Sequence, residues 1–174
     1  PFIAKGIGDA IVIGGIIDTL VKNNFRVSII ADKRTHFLFK EWRNVDALYF
    51  YDANMKKELV KTLKELPPFV FVDSHEITHS NVETFNLIRL IKPQRTIGFT
   101  SKYRLYDEVI HISQPLGHIS TRYIDLLQHL GISVQDFDYA VHIPDEDAQK
   151  ATEFIKKTTD KKIVSFIPYV SVSE

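Results

Sequence analysis

The sequence predicts an α/β domain of the Rossmann-like kind, a mostly parallel sheet with helices on both faces. Three observations point there. Short β-rich apolar runs alternate along the chain with longer segments of helical period. Several of those runs are apolar on both faces, as strands buried between two helical layers must be. The first run is followed at once by a glycine-flanked turn, Gly6-Ile7-Gly8-Asp9, that opens an apolar helix.

Taken in order, strands are predicted at Phe2–Ala4, Val27–Ala31, Ala47–Tyr51, Phe69–Asp73, Thr96–Phe99, Val109–Ile112 and Ile163–Ile167. Helices are predicted near 9–22, 34–42, 55–66, 77–92, 119–130 and 146–158. Within 55–66, Leu59, Leu63 and Leu66 recur at helical spacing while the lysines fall on the other faces, a solvated exterior. Pro67-Pro68 stops that helix and starts the next strand. Asp145, after Pro144, is expected to cap the last helix. A right-handed series of this kind winds into a doubly wound sheet whose ligands bind outside the carboxyl ends of the strands. That rule gathers Gly6–Asp9, Asp32–Thr35, Asp52–Asn54, Asp73–His79 and Thr100–Arg104 on one rim.

The composition narrows the function classes. The 174 residues are 44% hydrophobic and 25% charged, enough to bury a full core. Twenty-two basic and 22 acidic residues cancel, so no overall field draws the chain to nucleic acid. With no cysteine, disulfides and cysteine-based zinc sites are excluded, and a cytoplasmic location is expected. No apolar run approaches the roughly 20 residues that span a bilayer.

Three constellations on the rim carry chemistry. In Lys5-Gly6-Ile7-Gly8-Asp9, the glycines allow a tight turn, and the helix amino terminus that follows favours an anion. A dinucleotide site would use Asp32, at the end of the second strand, as its ribose-binding acid. However, the third fingerprint glycine is replaced by Ile11, and Asp9 would set a carboxylate against the pyrophosphate. Asp9 has two other readings, a helix cap or a general base.

The second constellation, His75-Glu76-Ile77-Thr78-His79, matches the pattern in which two histidines one helical turn apart bind zinc. On a helix, Ile77, Phe85, Leu87, Ile88 and Ile91 share one side, and His75 and His79 lie opposite with Asn86 and Arg89. They would face the rim or solvent, without the buried helix and third ligand a zinc hydrolase needs, so no metal is expected. The third is the scattered basic set Lys33, Arg34, Arg89, Arg95, Lys102, Arg104 and Arg122, a seat for a phosphate or carboxylate if several converge. No Gly-x-Ser-x-Gly elbow supports a serine triad.

Read in order, these segments resemble the amino-terminal half of glycosyltransferase family nine, the ADP-heptose:lipopolysaccharide heptosyltransferases and their relatives. The resemblance runs through Gly6-Ile7-Gly8-Asp9-Ala10-Ile11-Val12-Ile13, Phe71-Val72-Asp73-Ser74-His75 with Ser80, and Arg95-Thr96-Ile97-Gly98-Phe99. It continues at His118, Tyr123-Ile124-Asp125-Leu126-Leu127 and Leu130-Gly131-Ile132, and closes on Ile143-Pro144-Asp145-Glu146-Asp147. It implies one half of a two-domain GT-B-type fold, with residues 1–145 the acceptor-binding domain, 146–160 a linker helix, and 161–174 the start of a nucleotide-sugar domain. Asp9 matches the family's catalytic acid residue, which deprotonates the acceptor hydroxyl for an inverting displacement.

By the same resemblance, Gly6 and Gly8 let the acceptor approach the backbone, and Asp73, Ser74 and His75 line the acceptor side, although the family more often has Gln at position 75. Arg104, from the basic set, is expected to join them. The implied partners are a lipopolysaccharide core or other saccharide acceptor and a nucleotide-sugar donor, ADP-heptose above all, held mainly by the second domain. No cofactor is implied. Peripheral contact with the cytoplasmic face of the inner membrane is a further expectation. The alternative function is a non-catalytic α/β module that binds a small anion on the same rim.

Overall fold

The computed structural model describes residues 3–4, 7–42, 45–74, 82–99, 106–114, 119–134, 138–139 and 141–158. The chain divides into two compact units, Pro1–His142 and Ile143–Glu174. In the first, the elements follow as β1 (Ile3–Ala4), α1 (Ile7–Lys22), β2 (Ser28–Asp32), α2 (His36–Phe39) and β3 (Ala47–Tyr51). Then come α3 (Lys56–Lys64), β4 (Val70–Asp73), α4 (Val82–Ile91), β5 (Arg95–Phe99), β6 (Glu108–Ile110) and α5 (Ile119–His129). A short 3-10 turn at Ala53–Met55 leads into α3, and the Asp52 side chain accepts the Asn54 amide to start it.

Among the described residues all pairings are parallel, in two three-stranded sheets ordered β1-β2-β3 and β4-β5-β6. The expected mostly parallel α/β architecture is therefore present. No ladder joins the two sheets among the described residues, which leaves a seam between them. Packing crosses that seam nonetheless. Alternation of side chains sends Ile29 and Ala31 of β2, Val72 of β4 and Ile97 and Phe99 of β5 into one core with α1, α2 and α5. Ile30 and Phe71 point the other way, into a second core with Leu59, Leu63, Leu87 and Ile91 of α3 and α4. Helices thus cover both faces, and this explains why Ile29–Ala31 of β2 and Val70–Val72 of β4 are apolar without alternation.

Helix α1 buries Ala10, Val12, Ile13, Gly14, Gly15, Ile16, Ile17 and Leu20, most of its circumference. α5 ends at a left-handed residue, Gly131 with φ 83°, where the Ile132 amide reaches back to the Leu127 carbonyl at 2.9 Å. β6 is fastened to β5 by side chains. The Thr96 amide and hydroxyl both donate to Asp107 Oδ2, at 2.8 and 2.7 Å, and the Asp107 amide donates to Thr96 Oγ1 at 2.8 Å.

Those bonds from Thr96 hold the Asp107 carboxyl below its ordinary value. Because the folded value is the lowered one, the associated stability is complete above the ordinary range and is lost as pH falls through the folded value. Asp107→Ala is expected to lower the urea midpoint at pH 7 but to flatten its fall toward pH 3, measured as paired unfolding curves.

Several boundaries differ from the sequence expectation. Helix 34–42 shortens to His36–Phe39 because the Asp32 carboxylate takes the Arg34 amide at 2.9 Å, turning the chain before a helix can start. α1 begins at Ile7 rather than 9, so Asp9 lies inside the first turn and not at its cap. The helix expected over 77–92 is described only from Val82, so His75, His79 and the proposed zinc motif lie outside the described residues.

The second unit holds α6 (Asp145–Thr158). The Pro144 carbonyl accepts the amides of Asp147 and Ala148 at 3.0 Å, which makes Asp145 the first helical residue instead of the expected cap. The predicted strand Ile163–Ile167 lies outside the described residues. Among those described, no helix is long and apolar enough to cross a membrane.

Candidate functional site

Open α/β sheets bind ligands outside the carboxyl ends of their parallel strands, here the ends of β4 and β5. A cavity of about 200 Å³ sits at these strand ends, lined by Asp9 and Ile13 of α1, Ser74 after β4, Phe99 at the end of β5, and Ile119, Arg122 and Tyr123 of α5. Asp9 and Arg122 both belong to the first turns of their helices. Two helix amino termini, with their partial positive charge, therefore flank one concavity.

Asp9 is half-buried, and its side chain makes no hydrogen bond or ion pair among the described residues. That is uncommon for a carboxylate set among Phe99, Ile13 and Ile119, because a partly desolvated charge without a partner is costly. It leaves both oxygens available to a ligand. Gly8 is exposed beside it, and a Cβ there would meet nothing within 4 Å, so open space adjoins the turn.

Behind the cavity lies a buried polar support. Asp73 is 0% exposed, and the Tyr106 hydroxyl donates to its Oδ2 at 2.7 Å. Burial and then the Asp73 charge push the Tyr106 hydroxyl far above its usual value, so it remains a donor. The Tyr123 hydroxyl donates to the Ser74 carbonyl at 3.2 Å, and its ring meets Phe99 edge-on at 5.9 Å. These contacts tie the strand end 73–74 to the elements on either side.

Gly98 explains how Tyr106 fits. A Cβ on Gly98 would lie within 2.6 Å of the Tyr106 ring carbons, so only glycine lets the ring lie flat against β5. Gly98→Ala is expected to cost about 1–3 kcal/mol through overpacking, seen as a lower urea midpoint. An unchanged midpoint would show that the ring moves aside freely.

The expected rim residues therefore separate. Asp9 and Ser74 share the cavity, whereas Gly8 does not line it. Asp73 is wholly buried and faces Tyr106 instead of open space. Gly6, His75 and Arg104 lie outside the described residues, as does Lys102.

Of the described basic set, only Arg122 lines the cavity. Arg34 pairs with Asp32 at 2.9 Å, Arg95 pairs with Glu108 at the amino end of β5, and Arg89 stacks on Phe85 at 6.0 Å. The Asp32 carboxylate also holds the Arg34 amide, so the acid that a dinucleotide site would need is already engaged. Tyr106 and the cavity-forming role of Arg122 were not evident from the sequence.

With this geometry in place, one solved structure is informative. It is the glycosyl transferase family 9 protein from Veillonella parvula DSM 2008, matched with a TM-score of 0.71 and 17% identity. The two chains share a fold. The match covers 96% of this chain and 54% of the other, so the chain spans about half the length of that protein. No protein-family model and no curated protein sequence matches.

Proposed function

We propose that this chain is the acceptor-binding half of a glycosyltransferase, with Asp9 as the general base that deprotonates an acceptor sugar hydroxyl. One observation carries the proposal: a carboxylate with no partner among the described residues, in a cavity at the carboxyl ends of the strands, where this class of sheet binds ligands. A hydroxyl attacking an anomeric carbon needs a base held within hydrogen-bond reach, and the first turn of a well-buried helix holds Asp9 rigidly. The fold shared with a glycosyl transferase family 9 protein supports the reaction class. The cavity of about 200 Å³ is smaller than most complete small-molecule sites, as half of a shared site would be.

In the finer reading, the transfer inverts the anomeric centre. The donor is a nucleotide sugar, ADP-heptose, held mainly by a second domain that 161–174 begins. The acceptor is a lipopolysaccharide core saccharide, reached at the cytoplasmic face of the inner membrane. Gly6 and Gly8 admit the acceptor to the backbone, Ser74, His75 and Arg104 contact it, and Asp73 holds the strand end through Tyr106. Residues 1–174 alone are expected to give no turnover. A binding screen of the complete natural polypeptide against ADP-linked and other nucleotide sugars tests the donor. Affinity for none of them would remove the enzyme reading.

A second reading, a non-catalytic module for a small anion, draws on Arg122 and the two helix ends. It differs in one outcome: replacing Asp9 would then leave no reaction to lose and would tighten anion binding.

A further inference from the structure

The first unit ends at His142, and the chain passes through Ile143-Pro144 directly into α6. In the stretch Val141-His142-Ile143 both apolar residues are exposed, while the histidine between them is turned inward and half-buried. Hydrophobic burial alone would choose the reverse. The His142 Nε2 lies 3.3 Å from Oδ1 and 3.2 Å from Oδ2 of Asp18 on α1. Its ring centroid lies 4.4 Å from that of Trp42, with the planes inclined by 38°. Trp42 is itself buried, packs on Phe39, and donates its indole N–H to Asp18 Oδ1 at 2.9 Å. A carboxylate and an aromatic face, both fixed by the core of the first unit, thus hold a titratable ring at the unit's last residue.

We propose that His142 is a protonation-operated latch: its imidazolium fastens the end of the first unit to Asp18 and Trp42, and losing the proton loosens the point where the chain departs for the second unit. A neutral imidazole still donates from Nε2 to Asp18. Protonation adds an ion pair with that carboxylate and sets a cation against the indole, which attracts cations held near its face. Imidazole is the side chain whose charge ordinarily changes between pH 5 and 8, so the latch is tighter in acid and looser as pH rises. Asp18 is the ion-pair partner of His142 among the described residues. Of the other charged groups nearby in sequence, Lys22 lies one turn farther along α1, and Lys40 and Glu41 precede Trp42. Asp138 and Asp145 flank His142 along its own segment. Both partners are partly exposed, so the ratio of fastened to free is expected to change roughly two- to fivefold across this range, the scale of an exposed ion pair. The proposal does not depend on the reaction read for Asp9.

The test uses the complete natural polypeptide and NMR, with two readouts. The first is the indole N–H signal of Trp42, assigned by its loss in Trp42→Phe. It is expected to move between pH 5.5 and 7.5 and to stop moving in His142→Gln, which keeps a polar side chain but cannot take the proton. Asp18→Asn, which retains an acceptor for the indole, is expected to shrink the movement, and Lys22→Gln to leave it. The second is the relaxation of the Ile143 amide, expected to show greater order at pH 5.5 than at 7.5 in the wild type and no such difference in His142→Gln. Movement of the indole signal that survives His142→Gln would overturn the proposal. So would an Ile143 amide equally ordered at both pH values, since a merely structural histidine gives that result.

Discussion

Replacing Tyr106 by alanine is expected to destabilise the first unit by about 3–5 kcal/mol, the range for deleting a buried aromatic side chain. Two losses combine. The ring that packs flat on Gly98 leaves a void, and the fully buried Asp73 loses the hydroxyl that donates to it at 2.7 Å. Tyr106→Phe separates them, because it keeps the ring and removes only the donor. Its expected cost is about 1–3 kcal/mol, the desolvation penalty for a buried polar group deprived of a partner. Urea unfolding of the wild type and both variants measures the difference. If Tyr106→Phe were neutral, the Tyr106–Asp73 bond would be incidental and the strand end at 73–74 would have to be held otherwise.

Replacing Asp9 by asparagine is expected to lower kcat of the complete enzyme by about 10²–10⁴-fold, the usual contribution of a positioned general base. The side chain keeps its size, and the helix loses only the favourable charge in its first turn, worth about 0.3–1 kcal/mol. Folding is therefore expected to survive. Because proton removal occurs in the transition state, kcat and kcat/KM should fall together, with KM for the acceptor little changed. A rise in KM at constant kcat would instead make Asp9 a binding residue. Steady-state kinetics with the acceptor varied separates the two.

Much of the fold was legible because apolar periodicity is local. The runs around Ile29–Ala31 and Phe71–Val72 are buried on both faces, and their lack of alternation announced it. Boundaries were less legible because they depend on single hydrogen bonds. The Asp32 carboxylate competes for the Arg34 amide and delays α2, and the Pro144 carbonyl starts α6 one residue early.

In the site, Asp9 stood out through the glycines before it. Tyr106 did not, since it meets Asp73 across 33 residues of sequence and belongs to no periodic pattern. Its only trace in the sequence is the glycine at 98, a strand residue whose missing side chain makes room for the ring. Arg122 could not be told from six other basic residues, because convergence on a cavity is a property of tertiary packing. The engagement of Asp32 with Arg34 is likewise visible only in three dimensions.

The central claim is that Asp9 activates a sugar hydroxyl. It is tested most directly by acceptor-dependent release of nucleoside diphosphate from a nucleotide sugar, comparing the complete natural polypeptide with its Asp9→Asn variant. The expected result is release that saturates with saccharide acceptor and falls at least about a hundredfold in the variant. Release of equal rate from both proteins would contradict the account.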